Sequence, residues 1–273
     1  MAVTMADIQH LRKMTGAGMM DCKNALTEAN GDFDKAMEII RKKGQAVAAK
    51  REDRDASEGC VLAKTEGNFA AVVSLQCETD FVAKNEDYIA LTQQILDAAI
   101  SNKPETLEDL LALQLPKGTV SQLISDKMAS IGEKMELGYY EFITAPYVTS
   151  YIHVGNKLAT IVGFNKADVD ENVAKDVAMQ ITAMNPLAVT IEGVPAEVKE
   201  KELEIAREKA REAGKPENLL DRIAEGALNK FYKEVTLLQQ DYVKDSKKTV
   251  EQFLKESDKE LQVTEFKRVS LNV

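Results

Sequence analysis

The chain contains no tryptophan, and only 5% of its 273 residues are aromatic. A surface that stacks nucleobases needs rings in quantity, so a base-stacking platform is disfavoured. Histidine is equally sparse: His10 and His153 stand far apart. There is no HExxH, no Walker-type glycine loop, no GxGxxG and no GxSxG, which removes the common zinc-protease, nucleotide-cradle and serine-hydrolase signatures. Cys22, Cys60 and Cys77 are widely separated and form no CxxC pair, so neither a disulfide framework nor a cysteine zinc site is expected. No apolar run approaches a membrane span. Residues 1–4 lack the basic-then-apolar pattern of a secretory leader. These absences predict a cytoplasmic protein with reduced thiols, no cofactor and no membrane attachment.

What is present is charge. The formal net charge is -10, with 29% charged and 44% hydrophobic residues. That is the balance of a soluble globular protein. Its sign opposes direct nucleic-acid binding as a primary role, because phosphate neutralisation needs a Lys/Arg surface. Carboxylates are abundant, but none stands in an apolar sequence setting expected to raise its pKa.

The pattern along the chain predicts an α+β protein in several parts. Residues 4–44 read as three short helices, broken by Thr15-Gly16-Ala17-Gly18 and by Asn30-Gly31, with Asp32 placed to cap the third. The densely charged stretch after them reads as a linker. Residues 61–65 and 69–77 flank Glu66-Gly67-Asn68 as a hairpin, followed by helices at about 85–100, 107–113 and 120–131 and a strand at 134–144. A second hairpin, 147–154 and 157–165, flanks Gly155-Asn156 and is followed by a helix at about 173–184. Both hairpins are followed by an Ala-Lys pair, Ala83-Lys84 and Ala174-Lys175, and a helix, which suggests a divergent internal duplication. Between 195 and 238, two helices broken at Gly214-Lys215-Pro216 should fold back as an antiparallel helical hairpin that projects from the body. A helix at 247–257 and a strand over 261–273 close the chain, the strand tied to the second hairpin. The expected division is therefore a three-helix module at 1–46, a charged linker at 47–58, an N-terminal core subdomain at 59–146 and a C-terminal core subdomain at 147–273.

Thr79-Asp80-Phe81-Val82 sits where a strand hands over to a helix, a place that can protrude and often carries function. A protruding phenylalanine beside a carboxylate can wedge into a partner and disturb a cation bound there. Taken by itself the tetrapeptide has an ordinary reading too, with Phe81 in a core and Asp80 as a helix cap.

Thr15-Gly16-Ala17-Gly18-Met19-Met20-Asp21-Cys22-Lys23-Asn24-Ala25-Leu26, with Glu28-Ala29-Asn30-Gly31-Asp32 behind it, closely resembles the N-terminal signature of bacterial elongation factor Ts. Cys77-Glu78-Thr79-Asp80-Phe81-Val82-Ala83 resembles that family's second signature, in the right order and spacing. The resemblance covers nearly the whole chain. It implies a guanine-nucleotide exchange factor for elongation factor Tu, GDP-bound or nucleotide-free, and not an enzyme. It implies that the N-terminal module is ubiquitin-associated-like and meets the G domain of Tu through Arg12, Met19, Met20 and Lys23. The stretch Thr79, Asp80, Phe81 and Val82 would then intrude beside the magnesium site of Tu, and His153 would dock against a more distant domain. Some family members carry a further C-terminal helix that touches the G domain. The sequence ends at Val273, so that contact is left open. Two subdomains in one chain imply a one-to-one complex. From the residues alone, two other readings compete: a helical adaptor or chaperone-like module, and an enzyme using scattered carboxylates or Cys77.

Overall fold

The protein was analysed as a computed structural model that describes residues 3–51 and 53–271. Residues 1–2, Glu52 of the expected linker and residues 272–273 of the expected closing strand lie outside the described residues. The first helix, α1 (Met5–Thr15), starts at a capping box between Thr4 and Asp7 and stops at Gly16, whose φ of 71° is left-handed. A second helix, α2 (Met19–Glu28), and a third, α3 (Phe33–Lys50), follow. Asp32 accepts a hydrogen bond from the Lys35 amide at 3.1 Å, as expected of a cap. Ile8, Leu11, Cys22, Leu26, Ala36 and Ile40 close a small core of their own.

The next part is a three-stranded antiparallel sheet under helices. Strands β1 (Glu58–Glu66) and β2 (Phe69–Cys77) meet at a two-residue turn, Gly67-Asn68. Then come α4 (Asp80–Ala83), α5 (Glu86–Asn102), α6 (Leu107–Ala112), a minimal hairpin of β3 (Gln114–Leu115) and β4 (Gly118–Thr119), α7 (Val120–Ile131) and β5 (Met135–Thr144). The sheet order is β1-β2-β5. Period-two alternation sends Cys60, Leu62, Phe69, Ala71, Val73 and Leu75 toward the helices, where Tyr88, Ile95 and Leu96 of α5 cover them.

The third part repeats that plan. It comprises β6 (Tyr147–Ile152), β7 (Leu158–Phe164), α8 (Glu171–Met184), α9 (Ala196–Glu212), α10 (Leu220–Val235), β8 (Asp241–Tyr242), β9 (Asp245–Thr249), α11 (Val250–Ser257) and β10 (Val263–Ser270). Its sheet order is β10-β7-β6. In both sheets the closing strand pairs with the second strand of the hairpin, antiparallel. The two sheets therefore share one strand topology. The Ala-Lys pairs are not equivalent, however: Ala83-Lys84 precedes α5, whereas Ala174-Lys175 lies inside α8. The segment 247–257, expected to be helical throughout, begins as β9. The capping box of Thr249 and Gln252 sets the helix start at Val250, and the residues before it pair with β8. Helices α9 and α10 fold back on each other, with Arg207–Asp221 and Arg211–Glu217 pairs toward the tip and Leu228 and Tyr232 packed against Ala188 and Val194 at the base.

The two sheets pack face to face. Val61, Ala63, Ala70 and Val72 of the first meet Ala159, Ile161 and Val269 of the second, with Ile143, Ala145 and Val148 between. Strands β2 and β7, buried on both faces, accordingly carry mostly apolar residues on either side, with Ser74 and Thr160 the buried polar exceptions. Gly163 permits this approach: a Cβ there would stand 2.8 Å from Ile143 Cγ2 and 2.9 Å from Ala145 Cβ. Gly163→Val is expected to cost about 1–3 kcal/mol by overpacking the layer. Urea unfolding should show a lower midpoint at unchanged slope. A wild-type midpoint would mean the sheets have room.

The charged stretch after the module starts as helix and continues, over residues 51 and 53–57, without regular structure. Helix α3 runs on to Lys50 rather than stopping near Gly44, because Gly44 is buried against α7, where the lack of a side chain is useful. Beyond it, Arg51 and Arg54 both bind the Glu78 carboxylate. Asp126 of α7 also departs from expectation. Burial pushes its carboxyl pKa up, and Arg41 of α3, at 3.9 Å, pulls it partly back.

Candidate functional site

The strongest candidate is the corner between β2 and α5. Thr79 caps α4, and its hydroxyl accepts from the Val82 amide at 3.4 Å. The cap is thus Thr79, not Asp80. The Thr79 amide and hydroxyl also donate to Glu133, at 3.1 and 2.8 Å. Just upstream, the Glu78 carboxylate accepts from Arg51 at 2.6 Å, from Arg54 at 2.9 Å and from the Lys134 amide at 2.6 Å. Burial alone would raise its pKa. The Lys134 amide and the two guanidinium groups outweigh burial and hold it at about 2. Downstream, Asn85 caps α5 by accepting from the Asp87 and Tyr88 amides. The single turn of α4 is therefore fixed at both ends.

That turn divides its side chains sharply. Val82 and Ala83 are buried in the core below the first sheet. Phe81 is 84% exposed. Asp80 pairs with Lys84 at 2.6 Å, and this hydrogen bond first of all lowers its pKa, with Lys157 adding to the effect. An exposed phenylalanine on a rigid single turn, beside a carboxylate that stays ionised, is poised to enter an apolar cleft. Of the four residues expected to meet a partner, Asp80 and Phe81 face outward, while Thr79 and Val82 hold the turn in place.

Lys157 belongs to the β6–β7 turn, which also carries His153. The turn is docked on the first sheet: the Val61 amide donates to the Asn156 carbonyl at 2.7 Å, and Lys157 pairs with Glu58 at 2.7 Å. His153 is exposed, with the Tyr151 hydroxyl 3.5 Å from its Nδ1. Beside it Val154 is 90% exposed, an apolar residue that sequence reasoning passed over. Its only signal was its place next to Gly155 in a turn. Arg12, Met19, Met20 and Lys23 stand exposed around the α1–α2 corner. Of the two methionines Met20 is the more open, at 63%. These four rest on the module's separate core. The other residues missed by sequence reasoning are Glu78 and Glu133, whose partners are remote in sequence.

Cys77 is poorly suited to act as a nucleophile at neutral pH. It is buried, burial pushes its thiol up to about 11, and its Sγ donates to the Thr79 carbonyl at 3.3 Å. Among the described residues, no group of three or more His, Cys, Asp or Glu side chains could hold a metal ion. Among the same residues, no helix is long and apolar enough to cross a membrane.

Comparison with known proteins bears on this geometry. The family model described as Elongation factor TS matches residues 78–272, from the base of the α4 corner through the closing strand. Elongation factor Ts of Porphyromonas gingivalis is 62% identical over 273 residues, covering 100% of this chain and 99% of the relative. The protein of the same name from Azobacteroides pseudotrichonymphae is 56% identical, covering 100% of both chains. That of Bacteroides fragilis is 49% identical over an alignment of 328 positions, covering 99% of both.

Proposed function

The chain belongs to the elongation factor Ts family of translation elongation factors, and from that premise we propose that it is a guanine-nucleotide exchange factor for elongation factor Tu. It binds the GDP-bound and the nucleotide-free partner, promotes replacement of GDP by GTP, and is not itself an enzyme. The observation that carries this reading is Phe81, 84% exposed on a one-turn helix fixed at both ends.

A GTPase holds its nucleotide through Mg2+ and backbone amides around the phosphates. A factor that binds the empty form more tightly than the loaded form must, by linkage, weaken nucleotide binding by the same ratio. Phe81 enters an apolar cleft of the partner and shifts the elements that hold Mg2+, and Asp80 stabilises the displaced arrangement. Thr79 and Val82 keep the turn rigid while this happens. Arg12, Met19, Met20 and Lys23 of the ubiquitin-associated-like module and His153 of the second subdomain supply remote grip. Val154 joins His153. The division into module, core subdomains and helical hairpin follows this separation of grip from wedge. The factor needs no cofactor, nucleic acid or membrane for the step, which takes place in the cytoplasm.

Release of a fluorescent GDP from the cognate Tu measures the activity directly. Catalytic amounts of the chain should shorten the nucleotide's dwell time strongly, and an unaltered dwell time would overturn the proposal. Chelating Mg2+ should then shrink the advantage of wild type over Phe81→Ala, because the ion no longer has to be displaced. An unchanged ratio would remove ion displacement from the mechanism while leaving exchange intact.

A further inference from the structure

We propose that the contact between Gly44 of α3 and Ala129 of α7 is the mount that sets where the N-terminal module stands relative to Phe81. Gly44 is then a positioning residue for exchange. This inference rests on the exchange activity proposed above.

The module folds around its own core, and α3 leaves that core to cross α7 of the first subdomain. At the crossing, a Cβ on Gly44 would stand 2.5 Å from Ala129 Cβ and 3.4 Å from the Ser125 carbonyl oxygen. Real Cβ atoms do not approach so closely, so any side chain at position 44 must push the helices apart. Glycine within a helix costs about 0.5–1 kcal/mol relative to alanine. Here that cost accompanies an approach no other residue allows. One turn earlier Arg41 reaches across the same crossing to Asp126 at 3.9 Å.

Beside the crossing lies an open groove of about 1100 Å3, lined by Met14 and Met37 of the module and by Leu91 and Leu123 of the core. Among the described residues the α3–α7 crossing is the main contact between module and core, so the module's placement depends chiefly on it. Exposed Met19 and Met20 stand on the module, and exposed Phe81 stands on the core. Two contacts on one rigid body share an effective concentration, which falls when the joint between them loosens. The mount should therefore govern how tightly the partner is gripped and leave the wedge step alone.

Three variants test this: Gly44→Leu, the milder Gly44→Ala, and the swap Gly44→Ala/Ala129→Gly, which moves one methyl across the contact. Spin labels on Glu28→Cys and Glu105→Cys report the module-to-core distance, since the native thiols are buried. Gly44→Leu should shift or broaden the distance distribution. It should raise the concentration giving half-maximal GDP release about tenfold and leave the saturated release rate within about twofold of wild type. Gly44→Ala should do the same to a smaller degree, and the swap should restore both readouts. If Gly44→Leu does not fold, the alanine variant and its rescue decide the question. Wild-type distances and half-maximal concentrations in Gly44→Ala and Gly44→Leu, or failure of the swap to rescue, would overturn the proposal. If wild type itself leaves GDP release unchanged, the exchange reading fails instead, and the distance measurement still decides whether Gly44 sets the mount.

Discussion

Phe81→Ala is expected to reduce stimulation of GDP release from elongation factor Tu about 30- to 140-fold while leaving most of the binding in place. The magnitude follows from the anchor. Burying a phenylalanine contributes about 1.5–3 kcal/mol, and buried aromatic hot spots cost 2 kcal/mol or more on truncation. At about 1.4 kcal/mol per factor of ten, 2–3 kcal/mol gives that range. The loss should fall on the rate and spare the affinity, because only interactions stronger in the displaced state than in the ground state accelerate release. Remote contacts at Met20 and His153 remain. The fold should not notice the change, since the ring is 84% exposed and the turn is held by Thr79, Val82 and Ala83. Thermal unfolding of the variant should match wild type. Stopped-flow release at saturating factor separates the outcomes. A wild-type rate would remove Phe81 from the mechanism, and an equal loss of affinity and rate would make it a grip residue rather than a wedge.

Glu78 is expected to carry the largest single electrostatic contribution to stability near the site. Its carboxyl pKa falls from 4.5 to about 2 in the folded protein. A depressed pKa stabilises the fold above the unfolded value and loses that contribution as pH falls through the folded value. The window is therefore about pH 4.5 down to about 2, and the contribution above it, after solvent screening at this rim, is about 1–3 kcal/mol. Glu78→Gln should be destabilised by about that amount at neutral pH, because Arg51, Arg54 and the Lys134 amide lose their shared anion. The variant's stability should also fall less steeply than that of wild type in this acid window. Chemical unfolding as a function of pH measures both. Parallel curves for the two proteins would show that the carboxylate titrates as it does in the unfolded chain. Since Glu78 precedes Thr79, the substitution should also loosen the α4 turn, but it leaves Phe81 in place and should cost less activity than Phe81→Ala.

Several elements were legible because their causes are local. The helix expected to end at residue 257 does so, although its start moves from 247 to Val250. Gly67-Asn68 joins two strand-like runs, and β1 pairs with β2 around them. The Gly16 and Asn30-Gly31 stops end α1 and α2 as expected, with left-handed backbone at all three positions. Gly44 shows the limit. In sequence a glycine among charged residues reads as a stop, yet α3 continues through it because α7 lies 85 residues further on and fills the missing side chain's place. The ion pairs of the charged connection are hidden for the same reason: Arg51 and Arg54 stand 27 and 24 residues from Glu78 in sequence.

The candidate corner shows both sides at once. The residues Thr79-Asp80-Phe81-Val82 mark a strand-to-helix junction, because a threonine cap and the end of an apolar run are written into neighbouring positions. Whether Phe81 or Val82 turns inward is not. That depends on Glu133, whose carboxylate fastens the turn from 54 residues away, and on the sheet that takes Val82 into its core. Periodicity and capping act over a few residues and so belong to the sequence. Exposure of one ring, burial of its neighbour and the fit of a glycine against a distant helix arise only when remote segments compete for the same space, and the tertiary structure decides them.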